Sequence, residues 1–220
     1  MSLRSLLAPR RCVACRQPGA LLCPGCRRAT VPIGEPICAR CGAPSALPMP
    51  SCRACRDRRR GVDRARSALE LSGVTAELVA AWKHRSLAIA PAAIELVVEL
   101  VEPPADGVLC PVPFDPERRR RRGCDPPGEL ARGLAEAWRL GLDEGLLRRE
   151  RGTCPQRGLD APARRRNLRG AFACLCAPPC VVLVDDVYTT GETLHACART
   201  LRASGAREVY AFTFARTPFR

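Results

Sequence analysis

Lysine is almost missing from this chain: Lys83 stands alone among 36 basic residues, so arginine carries nearly all of a formal net charge of +14. Aromatic residues are scarce at 4% of the composition. Few lie beside the densest basic runs, so no stacking platform for unpaired bases is visible. Histidine occurs only as His84 and His195, neither with an evident catalytic or metal-binding partner, which leaves packing or surface roles for both. Long apolar runs are absent too. Ile94–Val101 is short and carries Glu95 and Glu99, so no membrane span is expected. The opening residues MSLRSLLAPRRC hold too brief an apolar stretch for a secretory signal, and a cytoplasmic location is expected. The basic balance points to anionic partners such as phosphates, nucleic acid or acidic protein surfaces. A skewed genome composition produces the same arginine-for-lysine bias, so charge alone does not establish contact with nucleic acid.

Cysteine, by contrast, is abundant. Eight of the 15 cysteines form four CxxC pairs in the first quarter of the chain: Cys12/Cys15, Cys23/Cys26, Cys38/Cys41 and Cys52/Cys55. A CxxC turn presents two thiolates from one knuckle, and two knuckles complete a tetrahedral zinc site of four cysteines. Disulfides are disfavoured without an export signal, and thioredoxin-type chemistry needs one such motif beside a βαβ unit. The region is poor in large apolar residues, so Zn2+, with two ions as the simplest count, would supply its folding free energy. Neighbouring pairs give the simplest scheme, although spacing leaves an interleaved one open. Closed four-cysteine sites keep no open coordination position, so zinc catalysis is not expected; the ribbons read as structural, with a grip on nucleic acid or protein as the alternative. Cys110, Cys124, Cys154, Cys174, Cys176, Cys180 and Cys197 lack paired spacing; Cys174, Cys176 and Cys180 cluster without an evident fourth ligand, and most of the seven read as small buried hydrophobes.

At 220 residues the chain holds one ordinary domain and a small appendage. The expected division is a double zinc ribbon over residues 1–60 and an α/β domain over residues 61–220. Strands are predicted at Ser67–Leu71, Gly107–Val112, Leu146–Arg149, Val181–Val184 and Glu208–Phe214. Helices are predicted at Thr75–Arg85, Leu87–Val101, Gly128–Leu140, Ala161–Leu168 and Glu192–Ser204. Their alternation argues for a parallel sheet with flanking helices.

The most informative segment is VVLVDDVYTTGETL, Val181–Leu194. Four apolar residues make a buried parallel strand, and Asp185 and Asp186 follow at its carboxyl end. Thr189, Thr190, Gly191 and Thr193 then form a small hydroxylated loop that opens a helix. Ligands of open α/β sheets sit at the carboxyl ends of strands. A loop that opens a helix there offers N–H groups and a positive dipole end to an anion. The aspartates would repel a bare phosphate, so they suit neutral hydroxyls. A phosphate beside a vicinal diol describes a ribose 5-phosphate.

This segment resembles the 5-phosphoribosyl 1-pyrophosphate (PRPP) signature of type I phosphoribosyltransferases: hydrophobic strand, two acids, a spacer pair, then T-[TS]-G-x-[TS]. The resemblance implies that fold, with Asp185 and Asp186 accepting ribose hydroxyls. It also implies that the loop Val187, Tyr188, Thr189, Thr190, Gly191, Glu192 and Thr193 holds the 5-phosphate. Pyrophosphate would lie by Pro111, Val112 and Pro113, with Mg2+ bridging ligand oxygens.

Further segments recur in order: Lys83-His84-Arg85, the PVP at Pro111–Pro113, the run Arg118, Arg119, Arg120, Arg121 and Arg122 before Gly123, and CPQRGLDAPARRRNLRGAF from Cys154 to Phe172. With the cysteine ribbons they resemble the ComF family of competence proteins. That resemblance implies a bacterial cytosolic protein engaged in uptake and processing of single-stranded DNA, with other competence or DNA-processing proteins as partners. The basic runs, including Arg164, Arg165 and Arg166, would then touch DNA or pyrophosphate, or else form a solvated face. Cys124, Asp125 and Pro126 depart from the family's aromatic, asparagine and glutamine. Two amides available to a substrate are thereby lost, which weighs against turnover more than against PRPP binding. A genuine phosphoribosyltransferase acting on a base or amine is the alternative.

Overall fold

An unbroken run of β-branched and aliphatic side chains suits a strand covered on both faces, and Val181–Val184 is such a run, every residue at 0% exposure. In the computed structural model, which describes residues 11–56, 61–84, 89–114, 123–150 and 170–218, this strand is central to a five-stranded parallel sheet. The cysteine-rich module contributes two short helices, α1 (Pro24–Arg28) and α2 (Arg53–Arg56). Then follow β1 (Arg64–Glu70), α3 (Gly73–Lys83), α4 (Ala90–Leu100), β2 (Val108–Pro111), α5 (Pro126–Trp138) and β3 (Gly141–Leu142). A small antiparallel pair, β4 (Arg148–Arg149) and β5 (Phe172–Ala173), precedes β6 (Cys180–Tyr188), α6 (Glu192–Ala203) and β7 (Glu208–Arg216). The sheet order is β1-β7-β6-β2-β3, with every pairing parallel.

Side chains alternate across β6 and serve two cores. Val182 and Val184 pack with Leu78, Trp82, Leu96, Leu130 and Phe214 beneath α3, α4 and α5. Trp82 meets Phe214 edge-on at 6.0 Å between ring centres, and Trp138 meets Phe212 in the same way at 5.0 Å. Val181 and Leu183 face the opposite side, where α6 contributes Leu194, Cys197 and Leu201. Cys38, Cys41, Cys52 and Cys55 belong to this second core. The second cysteine cluster is therefore packed into the α/β unit.

The cysteine module also closes the edge of the sheet at β1. Ile33 N donates to Ala68 O at 3.0 Å and Glu70 N to Val31 O at 2.8 Å, with an antiparallel bridge between Pro32 and Leu69. Ala65 N donates to Arg40 O at 2.7 Å. Exposed N–H and C=O groups of an edge strand are satisfied in this way by the module's own backbone.

Several element bounds differ from expectation. The signature strand does not stop at Val184. Its ladder with β7 continues through Asp185↔Thr213 to Tyr188↔Arg216, so both acids lie within the strand. The predicted Leu146–Arg149 strand contracts to the two residues of β4, outside the main sheet, and Gly141–Leu142 joins the sheet instead. The departure at Cys124–Pro126 is the start of α5. Asp125 is the N-cap and accepts from Gly128 N at 3.3 Å, while Pro126 and Pro127 occupy the first turn, where no N–H is missed. The predicted Ala161–Leu168 helix lies outside the described residues.

Candidate functional site

Three strand ends and one helix start define the crevice at the carboxyl edge of the sheet. At its centre, β6 delivers Asp185 and Asp186. Val112 N donates to Val184 O at 2.8 Å, which sets Pro111–Pro113 alongside the acids on the neighbouring strand. On the other flank, Thr217 N donates to Tyr188 O at 3.0 Å and holds the end of β7 against the loop. The sequence-predicted acids, loop and PVP segment are thus brought together at one end of the sheet. Arg118–Arg122 and Arg164–Arg166 lie outside the described residues.

The loop has a geometry that only glycine permits. Gly191 is the N-cap of α6 at φ +74°, and a Cβ there would collide with the Tyr188 hydroxyl. No side-chain hydrogen bond caps the helix at Gly191, and His195 N donates to Gly191 O at 2.9 Å. Thr189 is exposed and Thr190 and Thr193 are half-buried, so their hydroxyls are within reach of a ligand. His195 itself is buried and its Nδ1 accepts from Val62 N at 3.2 Å, a packing role as expected.

The two acids have different surroundings because adjacent strand residues point to opposite faces. Asp186 is buried and pairs with Lys83 at the end of α3, Oδ2 to Nζ at 2.6 Å. Asp185 is half-buried and its Oδ1 accepts from Asp186 N at 2.9 Å. Burial first, and then the Asp186 carboxylate, push the Asp185 carboxyl well above the ordinary range, with Lys83 opposing. Asp185 is therefore a carboxylate held at a cost, and a bound cation or hydroxyl pair would relieve it.

Sequence reasoning missed two basic groups at this edge. Lys83 stands out in the sequence as the lone lysine and as part of the Lys83-His84-Arg85 segment, but its pairing with Asp186 spans two distant elements. Arg149 on β4 places Nη1 3.4 Å from Pro113 O and its guanidinium 5.6 Å from the Phe172 ring centre. It thereby brings a cation to the PVP segment. A separate cavity of about 600 Å³ lies at the opposite, amino-terminal end of the strands. Arg64, Arg66 and Arg207 line it together with Glu102, Asp106 and Glu208, so its charges balance within the protein.

The cysteines resolve into the neighbour scheme. Ligand atoms of Cys12, Cys15, Cys23 and Cys26 lie within 4.8 Å of one another, as do those of Cys38, Cys41, Cys52 and Cys55. Zn–S bonds of about 2.3 Å in a tetrahedron place sulfurs about 3.8 Å apart. The Cys15–Cys23 and Cys41–Cys52 sulfurs are 3.7 Å apart, so both groups fit the ion. Backbone N–H groups support the sulfurs: Cys26 N reaches Cys23 Sγ at 3.4 Å and Cys52 N reaches Cys38 Sγ at 3.2 Å. The Cys55 contact, helped by Arg216, pulls Cys41 down to about 4, and the same contact pushes Cys55 up. Cys41 is thereby the thiol of this cluster predisposed to deprotonation on metal binding. Among the described residues no third group of this kind occurs; Cys110, Cys124 and Cys197 are buried as expected, whereas Cys174 and Cys180 are half-buried and Cys176 is exposed.

Comparison with known proteins finds a family model for the cysteine-rich module and curated relatives over about half of the chain. Residues 3–59 match the double zinc ribbon domain family. Over 113 residues the chain is 34% identical to competence protein F of Haemophilus influenzae, covering 49% of each protein. It is 37% identical over 109 residues to DNA utilization protein YhgH of Escherichia coli O157:H7, covering 48% of each. The chain spans about half the length of the curated relatives it matches. Adenine phosphoribosyltransferase of Leishmania tarentolae aligns over 72% of this chain and 79% of its own, at 16% identity and a TM-score of 0.35.

Metal analysis of the purified protein is expected to give two zinc ions per chain, and markedly fewer would refute the two four-cysteine clusters. A second test concerns the acids. Asp185 binds its proton more tightly folded than unfolded, so stability falls as pH rises above about 4. Asp185→Asn removes that cost and keeps the oxygen that accepts from Asp186 N. Its melting temperature is expected to exceed wild type at neutral pH, with the gain shrinking as pH falls toward about 4.

Proposed function

We propose that this chain, a homologue of competence protein F and YhgH over about half its length, binds PRPP with Mg2+ at the carboxyl edge of its sheet. Its role in this reading is the handling of single-stranded DNA taken up during natural transformation, in the cytoplasm and alongside other competence or DNA-processing proteins. One observation carries the ligand assignment. Two carboxylates, a hydroxyl-rich loop and an uncapped helix N-terminus converge at the end of the central strand. The names of the relatives support the DNA context.

In this reading the 5-phosphate sits on the N–H groups and hydroxyls of Tyr188–Thr193, where the helix dipole and open donors favour an anion. Asp185 and Asp186 accept the ribose hydroxyls, Asp186 with one oxygen while the other holds Lys83. Pyrophosphate lies at Pro111–Pro113 near Arg149. Mg2+ supplies charge neutralisation between pyrophosphate and ribose oxygens. The residues 1–60 form the ribbon module and 61–220 the phosphoribosyl-binding unit. Arg118–Arg122 and Arg164–Arg166 supply contacts to DNA or pyrophosphate.

A second reading, transfer of the ribose 5-phosphate to a base or amine, is favoured by Arg149. A cation at the pyrophosphate position, besides binding the ligand, would stabilise the additional negative charge that grows on a departing group. It requires PRPP-dependent release of pyrophosphate that Asp185→Ala abolishes.

PRPP with Mg2+ at about a hundredfold excess over Kd is expected to raise the melting temperature by about 5 °C or more. No shift at millimolar PRPP would remove the phosphoribosyl reading. Single-stranded oligonucleotides are expected to bind in fluorescence anisotropy at low salt. Affinity should fall roughly a hundredfold between about 50 and 200 mM salt as counterions are released. Absence of binding at low salt would sink the DNA role.

A further inference from the structure

We infer that Arg216 is a positioning residue through which the second cysteine cluster holds the phosphate loop in shape. The inference rests on the loop's assignment above, but its test separates the two. Arg216 ends β7 and is only 4% exposed, a permanent cation that tolerates burial only when partnered. Its partners lie on two different units. Nη1 donates to Cys41 O at 2.6 Å, and Nη2 lies 3.7 Å from Cys41 Sγ. The same guanidinium stacks over the Tyr188 ring, 4.3 Å from its centre. The far end of that ring abuts Gly191 so closely that an added Cβ would overlap the hydroxyl oxygen. A continuous line of contact therefore runs from a cysteine of the second cluster, through Arg216 and Tyr188, to the residue that opens the anion-binding helix.

A second line runs parallel to it. Arg40 Nη1 donates to Cys55 O at 2.8 Å, and Arg40 O accepts from Ala65 N at the edge strand. Just before that strand, Val62 N donates to His195 Nδ1 in the first turn of α6. The second cluster is thus linked, through Arg216 on one side and through Arg40 and the start of β1 on the other, to both flanks of the loop.

The electrostatics set a direction for this coupling. Four thiolates around one Zn2+ leave a net charge of about −2, a favourable neighbour for a buried guanidinium. Loss of the metal or of the knuckle removes the carbonyl and the sulfur together, and the buried cation must then move toward water. Tyr188 loses the group stacked on it, and the loop beyond loses its rigid wall. The first cluster's module meets the other core instead, packing Val13, Leu21 and Leu22 against it and pairing Arg27 with Glu95 and Glu99 of α4. Occupancy of the second cluster, and not of the first, conditions anion binding at Tyr188–Thr193.

Hydrogen exchange read by mass spectrometry tests this on the intact chain, with zinc content measured in parallel. In Arg216→Met both zinc ions are expected to remain and exchange at residues 188–193 to accelerate about tenfold, with a similar loss of PRPP affinity. Amides of Val181–Val184 should keep their protection. Arg216→Lys, which restores a cation beside the Cys41 carbonyl, should recover part of the effect. Cys55→Ser should accelerate the same segment, and Cys15→Ser should leave it unchanged. Unchanged exchange at 188–193 in Arg216→Met overturns the inference even if Cys55→Ser fails to fold. So does loss of protection throughout β6, or an equal effect of Cys15→Ser. If the exchange pattern holds while wild type ignores PRPP, the coupling stands and the ligand reading fails.

Discussion

The pairing of β6 with β7 is the constraint on which the functional edge depends. The two strands run in register from Cys180↔Glu208 to Tyr188↔Arg216. The ladder outlasts the apolar run, and the added stretch, Asp185–Tyr188, includes both acids. A carboxylate inside a ladder has its backbone fixed by the partner strand, here β7, so Asp185 and Asp186 are presented at set heights and on opposite faces. The cost of that precision is visible in the raised proton affinity of Asp185. Such a group is poorly solvated before a ligand arrives, which is how binding sites commonly trade stability for affinity.

The cysteine module is tied to this constraint rather than suspended from it. Its second cluster shares an apolar core with Val181, Leu183, Val209 and Ala211, and its backbone completes the β1 edge. Small modules poor in apolar side chains draw folding free energy from metal. Here the same sulfurs also fill volume in the core of the larger unit.

What could be read from the sequence was local, and what could not was long-range. The Val181–Leu194 run carries strand, acids, loop and helix start within one stretch, and its periodicity needs no partner to be recognised. The CxxC pairs are equally local, and adjacency proved the right guide to their grouping. The strand's end was misplaced because Asp185–Tyr188 lacks apolar alternation, and only the partner β7 sustains it. Leu146–Arg149 has apolar strand character, yet Leu146 and Leu147 are spent on packing and only Arg148 and Arg149 pair. Lys83, Arg149 and Arg216 were not assignable because their partners are remote. The Arg216–Cys41 contact joins residues 175 positions apart. Cys124–Pro126 reads in the sequence as a loss of substrate amides, whereas in the fold these residues begin a helix, with Asp125 as its cap.

The covering of β1 by Val31–Ile33 and Arg40 bears on the life of the chain before it is metallated. A parallel sheet whose outermost strand is bare offers a ladder of unmet donors and acceptors to any extended segment nearby, including another copy of itself. Here that ladder is shielded by a module whose own folding waits on metal. Chains short of zinc would leave that template for self-association uncovered. Metal supply becomes a matter of solubility for this protein, quite apart from anything it binds.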